Sequence, residues 1–186
     1  MSNLKKVILI QTDITTFAVQ AIVNSANKSL LGGSGLDYII HKKAGPLMKT
    51  ECIQLHQEKG GCSTGQAEVT TAGNLPAQYL IHAVGPRWLD VERNEPQLLC
   101  DAYSNAIMKA NHVGVKTISF PNISTGVYGF PRQLAAEIAI GTILSTLPQY
   151  DCVEEVFFVC RDDENYLIYK EILSNINDPK IKIQIE

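Results

Sequence analysis

The stretch Asn24-Ser25-Ala26-Asn27-Lys28-Ser29-Leu30-Leu31-Gly32-Gly33-Ser34-Gly35-Leu36-Asp37-Tyr38-Ile39-Ile40-His41 decides how the chain is read. A short apolar run, Ala21-Ile22-Val23, enters it, three glycines cross it, and apolar residues at helical spacing leave it from Leu36 onward. That pattern predicts a strand, a loop and a helix start. Backbone N–H groups and the positive end of a helix converge at such a junction, so an anion can approach without meeting a side chain. An amide, Asn27, and a carboxylate, Asp37, stand on either side of the glycines. The loop is therefore expected to cradle a phosphate, with these two side chains acting beside it.

A second stretch has the same construction. Thr117-Ile118-Ser119-Phe120 reads as a strand, and Pro121-Asn122-Ile123-Ser124-Thr125-Gly126-Val127-Tyr128-Gly129-Phe130 as a loop, with Pro131 suited to the first turn of the following helix. Open sheets bind ligands at the carboxyl ends of their strands, so both loops can reach one crevice. Two amide-rich loops suit a pyrophosphate, which offers acceptors on two sides. The alternative is a pair of ordinary tight turns, and the second loop tilts the reading toward binding.

Further strands are expected at Val7-Ile8-Leu9-Ile10, Gln66 to Ala72, Tyr79 to Val84 and Val156-Phe157-Phe158-Val159. Leu36, Ile40, Ala44 and Leu47 predict a helix that Gly45-Pro46 must break or kink. Asn94 caps a helix carrying Leu98, Ala102, Ala106 and Ala110, and Asp162 or Asp163 caps one bearing Tyr169, Ile172, Leu173 and Ile176. Adjacent strand pairs interrupt strict alternation. The expectation is an α/β fold with a mixed sheet and helices on both faces, in one domain whose core spans about residues 5–176. Lys180 to Glu186 alternates polar and apolar residues; it is read as a frayed tail, with an edge strand as the alternative.

With 45% hydrophobic and 19% charged residues the composition is that of a soluble globular protein. Its net charge of −3 argues against a nucleic-acid or anionic-membrane surface. Five cysteines without a Cys-x-x-Cys pair suit a reduced, cytoplasmic protein, and neither a leader nor a membrane-length apolar run is expected. Several signatures fail. Gly60 and Gly65 have P-loop spacing, but Gln66-Ala67 stands where Lys and Ser or Thr belong. Gly33-Ser34-Gly35 is neither a dinucleotide fingerprint, since Tyr38 replaces the third glycine, nor a nucleophile elbow, since Leu36 occupies a required glycine. His41, His56, His82 and His112 show no metal-ligand spacing, so no metal is expected. His41 and His82 are read as structural, and Cys100 and Cys160 as buried thiols.

Taken together, Asp13-Ile14-Thr15, Val23 to Asn27, Gly32 to Asp37 with His41, and Ser124 to Gly129 resemble the motifs of a macrodomain, the ADP-ribose-binding module. The likeness extends to Cys62-Ser63-Thr64-Gly65, His82-Ala83-Val84-Gly85-Pro86 and Phe158-Val159-Cys160, and covers nearly the whole chain. It is nearest to the bacterial subgroup that deacetylates O-acetyl-ADP-ribose and removes mono-ADP-ribose from acidic side chains. The resemblance implies a three-layer α/β/α fold with a mixed six-stranded sheet. It also implies ADP-ribose, O-acetyl-ADP-ribose and mono-ADP-ribosylated proteins as partners, a monomer, and no cofactor.

Position by position, the resemblance implies that Asp13 accepts from the adenine amino group, with the Ile14 N–H beside it. Gly33, Ser34, Gly35 and Leu36 would hold one phosphate, and Ser124, Thr125, Gly126 and Val127 the other. Tyr128 would pack near the distal ribose, Asn27 would hydrogen-bond it, and Asp37 would position or activate the attacking water. Arg161 stands where relatives carry an aromatic residue near adenine, and its guanidinium plane can stack on a base. Ser34 replaces a glycine of the family loop, and Thr12 replaces the glycine that commonly precedes the aspartate; a positive φ at residue 34 would strain a serine. Beside these roles stand alternatives: a helix-start carboxylate for Asp37, a loop-binding amide for Asn27, a turn residue for Asp13 and ordinary core for Tyr128. The competing function is a non-catalytic ADP-ribose reader, which would not require both Asn27 and Asp37.

Overall fold

A computed structural model describes residues 4–89 and 94–186. Its elements follow the apolar patterning: β1 (Lys5–Gln11), β2 (Ala21–Ser25), α1 (Gly35–Ala44), α2 (Pro46–Lys59), β3 (Ala67–Thr71), β4 (Tyr79–Ala83), α3 (Glu95–His112), β5 (Thr117–Phe120), α4 (Arg132–Thr146), β6 (Glu155–Cys160), α5 (Asp163–Ser174) and β7 (Ile181–Ile185). The expected helix break occurs at Gly45, whose φ of 86° ends α1 and whose N–H donates to the His41 carbonyl. Pro46 then starts α2, where its missing N–H removes no helical bond. Asp162 caps α5 by accepting from the Asn165 N–H at 2.8 Å.

The strands form one sheet in the order β3-β4-β2-β5-β6-β1-β7. Only the β3–β4 pair is antiparallel, so the sheet is mixed as the sequence implies. Period-two alternation divides the strand residues between two layers. Ile22 and Leu80 face α1 and α2, packing with Ile40, Ala44, Met48 and Cys52. Val23, Ile81, Phe120 and Phe158 face the opposite layer, with Leu99, Tyr103, Ala136, Ile140, Tyr169 and Leu173 from α3, α4 and α5.

The sheet has seven strands rather than six, because the tail is not frayed. Ile181 to Ile185 pairs in parallel with β1, from Lys5↔Ile181 to Leu9↔Ile185. Alternation turns Ile181, Ile183 and Ile185 toward the α5 layer, where Ile181 is buried and the other two are partly covered. The Glu186 N–H adds a bond to the Leu9 carbonyl at 2.9 Å, and the Tyr166 hydroxyl donates to the Glu186 carbonyl at 2.7 Å.

This topology positions the site. β1, β2, β5 and β6 run in one direction, so the loops leaving their carboxyl ends gather at one edge. Replacing Ile181 by Ala should lower the unfolding free energy by about 2–4 kcal/mol, as expected for a buried isoleucine. A denaturant titration showing no change would mean that the tail does not pack.

Candidate functional site

The four loops enclose an open cleft of about 650 Å³. All the predicted site residues line it: Asp13, Ile14, Asn27, Gly33, Ser34, Gly35, Leu36, Asp37, Ser124, Thr125, Gly126, Val127, Tyr128 and Arg161. Segments more than 100 residues apart in sequence thus meet because their strands are close in the sheet.

The floor of the cleft is backbone. Ser34 precedes α1 with φ −105°, an extended conformation, so serine brings no strain there; the positive φ falls on Gly32 and Gly35 instead. The first N–H groups of α1 have no partner within the helix, and Ser34 makes no side-chain cap, so they open toward the cleft. On the facing loop, the N–H groups of Thr125, Gly126 and Val127 pair with no backbone carbonyl among the described residues. The turn is held by the Phe130 N–H donating to the Ser124 carbonyl at 2.9 Å. Ser124 takes φ 68°, a left-handed conformation uncommon for a non-glycine residue.

Around this floor three arginines face three aspartates, Asp13, Asp37 and Asp162. Three of the chain's four arginines, Arg87, Arg132 and Arg161, line the cleft. Arg87 lies 5.5 Å from the centroid of the Tyr128 ring. Arg132 contacts Asp162 and Glu164, and Arg161 approaches Asp13 Oδ2 at 3.3 Å.

Asp13 takes the turn role. Its Oδ1 accepts from the Thr15 N–H at 2.9 Å and the Thr15 hydroxyl at 2.6 Å, which is a turn function. Its Oδ2 is approached by Arg161 and, at 3.8 Å, by Lys43. The Thr15 hydroxyl bond, with the backbone N–H and these cations adding, holds the carboxyl below its ordinary range.

Asn27 is tied to its own loop. Its Nδ2 donates to the Gly32 carbonyl at 3.0 Å, and its Oδ1 accepts from the Ser29 hydroxyl at 2.9 Å. Yet Nδ2 also stands near Asp37 Oδ2 across Gly33, where an added Cβ would lie 3.1 Å from each atom. Asp37 itself is buried, at 5% exposure. Its Oδ1 accepts from Asn24 Nδ2 at 2.7 Å and lies 3.3 Å from His41 Nε2, one helical turn on.

These contacts bring in residues that the sequence reading left aside. Asn24 sits within the quoted motif but carried no role, and His41 and His82 were assigned to the core. The helical i,i+4 spacing of Asp37 and His41 was the available signal for the first contact. His82 gave none, because its contacts cross strands. The structure also brings His41, Cys52 and His82 within 4.8 Å of one another, a convergence absent from their spacing in sequence. His82 Nε2 is 3.0 Å from the Thr70 hydroxyl, and burial pushes the Cys52 thiol up to about 12, so these two read as core, whereas neither ring nitrogen of His41 is hydrogen-bonded among the described residues. Cys160 is buried as expected, with burial raising its thiol to about 11, whereas Cys100 is only partly buried. Among the described residues no helix is long and apolar enough to cross a membrane.

The "Macro domain" family model matches residues 23–139. A "Macro domain-containing protein" of Acinetobacter sp. is 80% identical over 182 residues, covering 98% of this chain and 100% of that one. The "O-acetyl-ADP-ribose deacetylase" of Escherichia fergusonii is 49% identical over 170 residues, covering 91% and 96%. Among solved structures, the Oceanobacillus iheyensis macrodomain with ADP superposes with a TM-score of 0.84 at 38% identity, covering 89% of this chain and 88% of that one.

Burial, reinforced by His41, lowers the His82 pKa to about 4. The unfolded chain takes up this proton near its ordinary value of about 6.5, so between these values the unfolded state binds more protons. Stability should therefore fall as the pH drops, by about 2 kcal/mol between about pH 7 and about pH 5 from this group. Denaturant titrations of the wild type and His82→Gln at both pH values check this: the wild type should lose more. Equal losses would show that His82 is not held neutral.

Proposed function

The chain belongs to the macro domain family, and from that premise we propose that it binds ADP-ribose and hydrolyses esters carried on its distal ribose. The substrates are O-acetyl-ADP-ribose and mono-ADP-ribose on acidic side chains. The observation that carries the reading is the pair formed by Asp37 Oδ2 and Asn27 Nδ2 across Gly33, at the end of a cleft floored by open N–H groups. Deacetylase relatives at 46–49% identity support the chemistry.

In this reading the N–H groups at Gly33 to Leu36 and at Ser124 to Val127 receive the two phosphates, with Arg87 and Arg132 at the rim. Asp13 and the Ile14 N–H meet adenine, and the Arg161 guanidinium flanks the base. Tyr128, held under Arg87, packs on the distal ribose. Asn27 hydrogen-bonds that ribose and so fixes the ester beside Asp37. Asp37 Oδ2 accepts a proton from water as the water oxygen bonds to the ester carbonyl carbon. The bond from that carbon to the ribose oxygen then breaks, and the proton passes to the leaving oxygen. The products are ADP-ribose with a free hydroxyl and the carboxylic acid. The whole chain acts as one macrodomain unit, a cytoplasmic monomer in this reading.

Incubation with O-acetyl-ADP-ribose and with a glutamate-modified protein tests it: release of acetate or of free ADP-ribose is expected, and binding without release would favour a reader. Asp37→Ala should lose about 10²–10⁴ of the turnover while retaining ADP-ribose. Undiminished hydrolysis would remove Asp37 from the mechanism. Asp13→Ala should weaken ADP-ribose binding by roughly tenfold or more, the loss expected for a hydrogen bond to a charged acceptor. Calorimetry giving equal affinity would move adenine elsewhere.

A further inference from the structure

Asp37 has one oxygen in the cleft and one in the core. Oδ2 faces Asn27 across Gly33, whereas Oδ1 accepts from Asn24 Nδ2 at 2.7 Å. Behind Asn24 the contacts continue away from the cleft: Nδ2 to His82 Nδ1 at 3.3 Å, His82 Nε2 to the Thr70 hydroxyl at 3.0 Å, and that hydroxyl to the Thr71 carbonyl at 2.9 Å. Sheet register explains the alignment, since Asn24 and His82 are paired across β2 and β4 and Thr70 lies diagonally on β3. All four side chains are at least nine-tenths buried.

We infer that Thr70, His82 and Asn24 form a one-way hydrogen-bond relay that orients the Asp37 carboxylate, and that Thr70 and His82 are thus positioning residues for hydrolysis without touching the substrate. The direction follows from counting protons. Asn24 Nδ2 carries two hydrogens; one goes to Asp37 Oδ1, and the second points at His82 Nδ1. That contact is a hydrogen bond only if Nδ1 is bare, which places the ring proton on Nε2. Nε2–H then donates to the Thr70 oxygen, whose own proton goes to the Thr71 carbonyl. The neutral ring that this requires agrees with the lowered pKa of His82.

The relay also fixes the Asn24 amide. Reversing it would set the amide oxygen against Asp37 Oδ1, two acceptors with no proton between them. In the observed orientation Asn24 Oδ1 is buried and unpartnered. An unpartnered acceptor is unfavourable, so the orientation is set by what Nδ2 serves. If the Thr70 acceptor is removed, the Nε2–H tautomer keeps only the weak, longer contact to Cys52 Sγ at 3.7 Å. A proton on Nδ1 would then meet the Asn24 amide hydrogens and turn the amide, leaving Asp37 Oδ1 with the 3.3 Å His41 Nε2 contact alone.

Thr70 does not line the cleft, which makes it the informative position. Thr70→Val keeps the shape and removes the hydroxyl. It should lower kcat on O-acetyl-ADP-ribose about tenfold or more, the scale expected when a reacting group is misplaced, while ADP-ribose affinity stays within about twofold. Thr70→Ser should recover kcat to within about threefold. Independently of folding of the variant and of any activity, nitrogen-15 NMR of the wild-type His82 ring should show the proton on Nε2 and a bare Nδ1. Wild-type kcat in Thr70→Val, a matching loss of ADP-ribose affinity, failure of Thr70→Ser to recover, or a proton on Nδ1 would each overturn the relay. The inference rests on the hydrolytic reading, but the two fail separately: a wild-type protein without turnover defeats the hydrolase, while the ring spectrum still decides the relay.

Discussion

A Cβ added at Gly33, between Asn27 and Asp37, would stand 3.1 Å from the amide nitrogen of one and a carboxylate oxygen of the other, a tight fit on both sides. Both side chains are already tethered. The rest of the site depends on that narrow gap. It lets the loop after β2 fold back so that α1 begins beside the strand end from which the chain has just come. The same fold that opens the first N–H groups of α1 also places Asp37, in its first turn, against Asn24 on β2. Anion binding and the carboxylate are thus products of one turn.

In the proposed reading an acidic chain must hold a dianion. The charge that matters is local. Helix-start N–H groups, a second loop whose N–H groups pair with no backbone carbonyl among the described residues, and three arginines surround the cleft, where they face Asp13, Asp37 and Asp162. Asp13 has one oxygen occupied by Thr15 and the other near two cations. Asp162 is held low mainly by the Asn165 N–H, against the opposing effect of its burial. Both therefore stay ionised, and their charge is offset only by the cations beside them, Lys43 and Arg161 at Asp13 and Arg132 at Asp162. Backbone donors need no reorganisation when the ligand enters, which suits a rigid turn better than long cationic side chains.

Features local in sequence were legible there. The two glycine-containing loops, the break at Gly45-Pro46 and the cap at Asp162 follow from runs of adjacent residues, whereas the roles of Asp13, Ile14, Tyr128 and Arg161 came only through the family resemblance; the structure gathers the candidate ligand residues in one cleft. Features that depend on contacts between strands were not. β7 looks like a frayed tail because its alternating pattern acquires meaning only beside β1, where Ile181 is buried. His82 resembles any strand histidine until register sets it against Asn24 and Thr70. The convergence of His41, Cys52 and His82 joins α1, α2 and β4, and no one-dimensional spacing contains it. Ser34 shows a further limit: a substituted glycine suggested strain, but the positive φ falls on its neighbours.

The central claim is that a water held by Asp37 attacks the acyl carbon of an ester on the distal ribose. Its most direct measurement is a single turnover of O-acetyl-ADP-ribose in oxygen-18 water, with mass analysis of both products. The account predicts one heavy oxygen in the acetate and none in the ADP-ribose. Unlabelled acetate, with heavy oxygen in the ADP-ribose beyond its anomeric exchange with water, would place the attack on the sugar instead, and no release of acetate would contradict hydrolysis altogether.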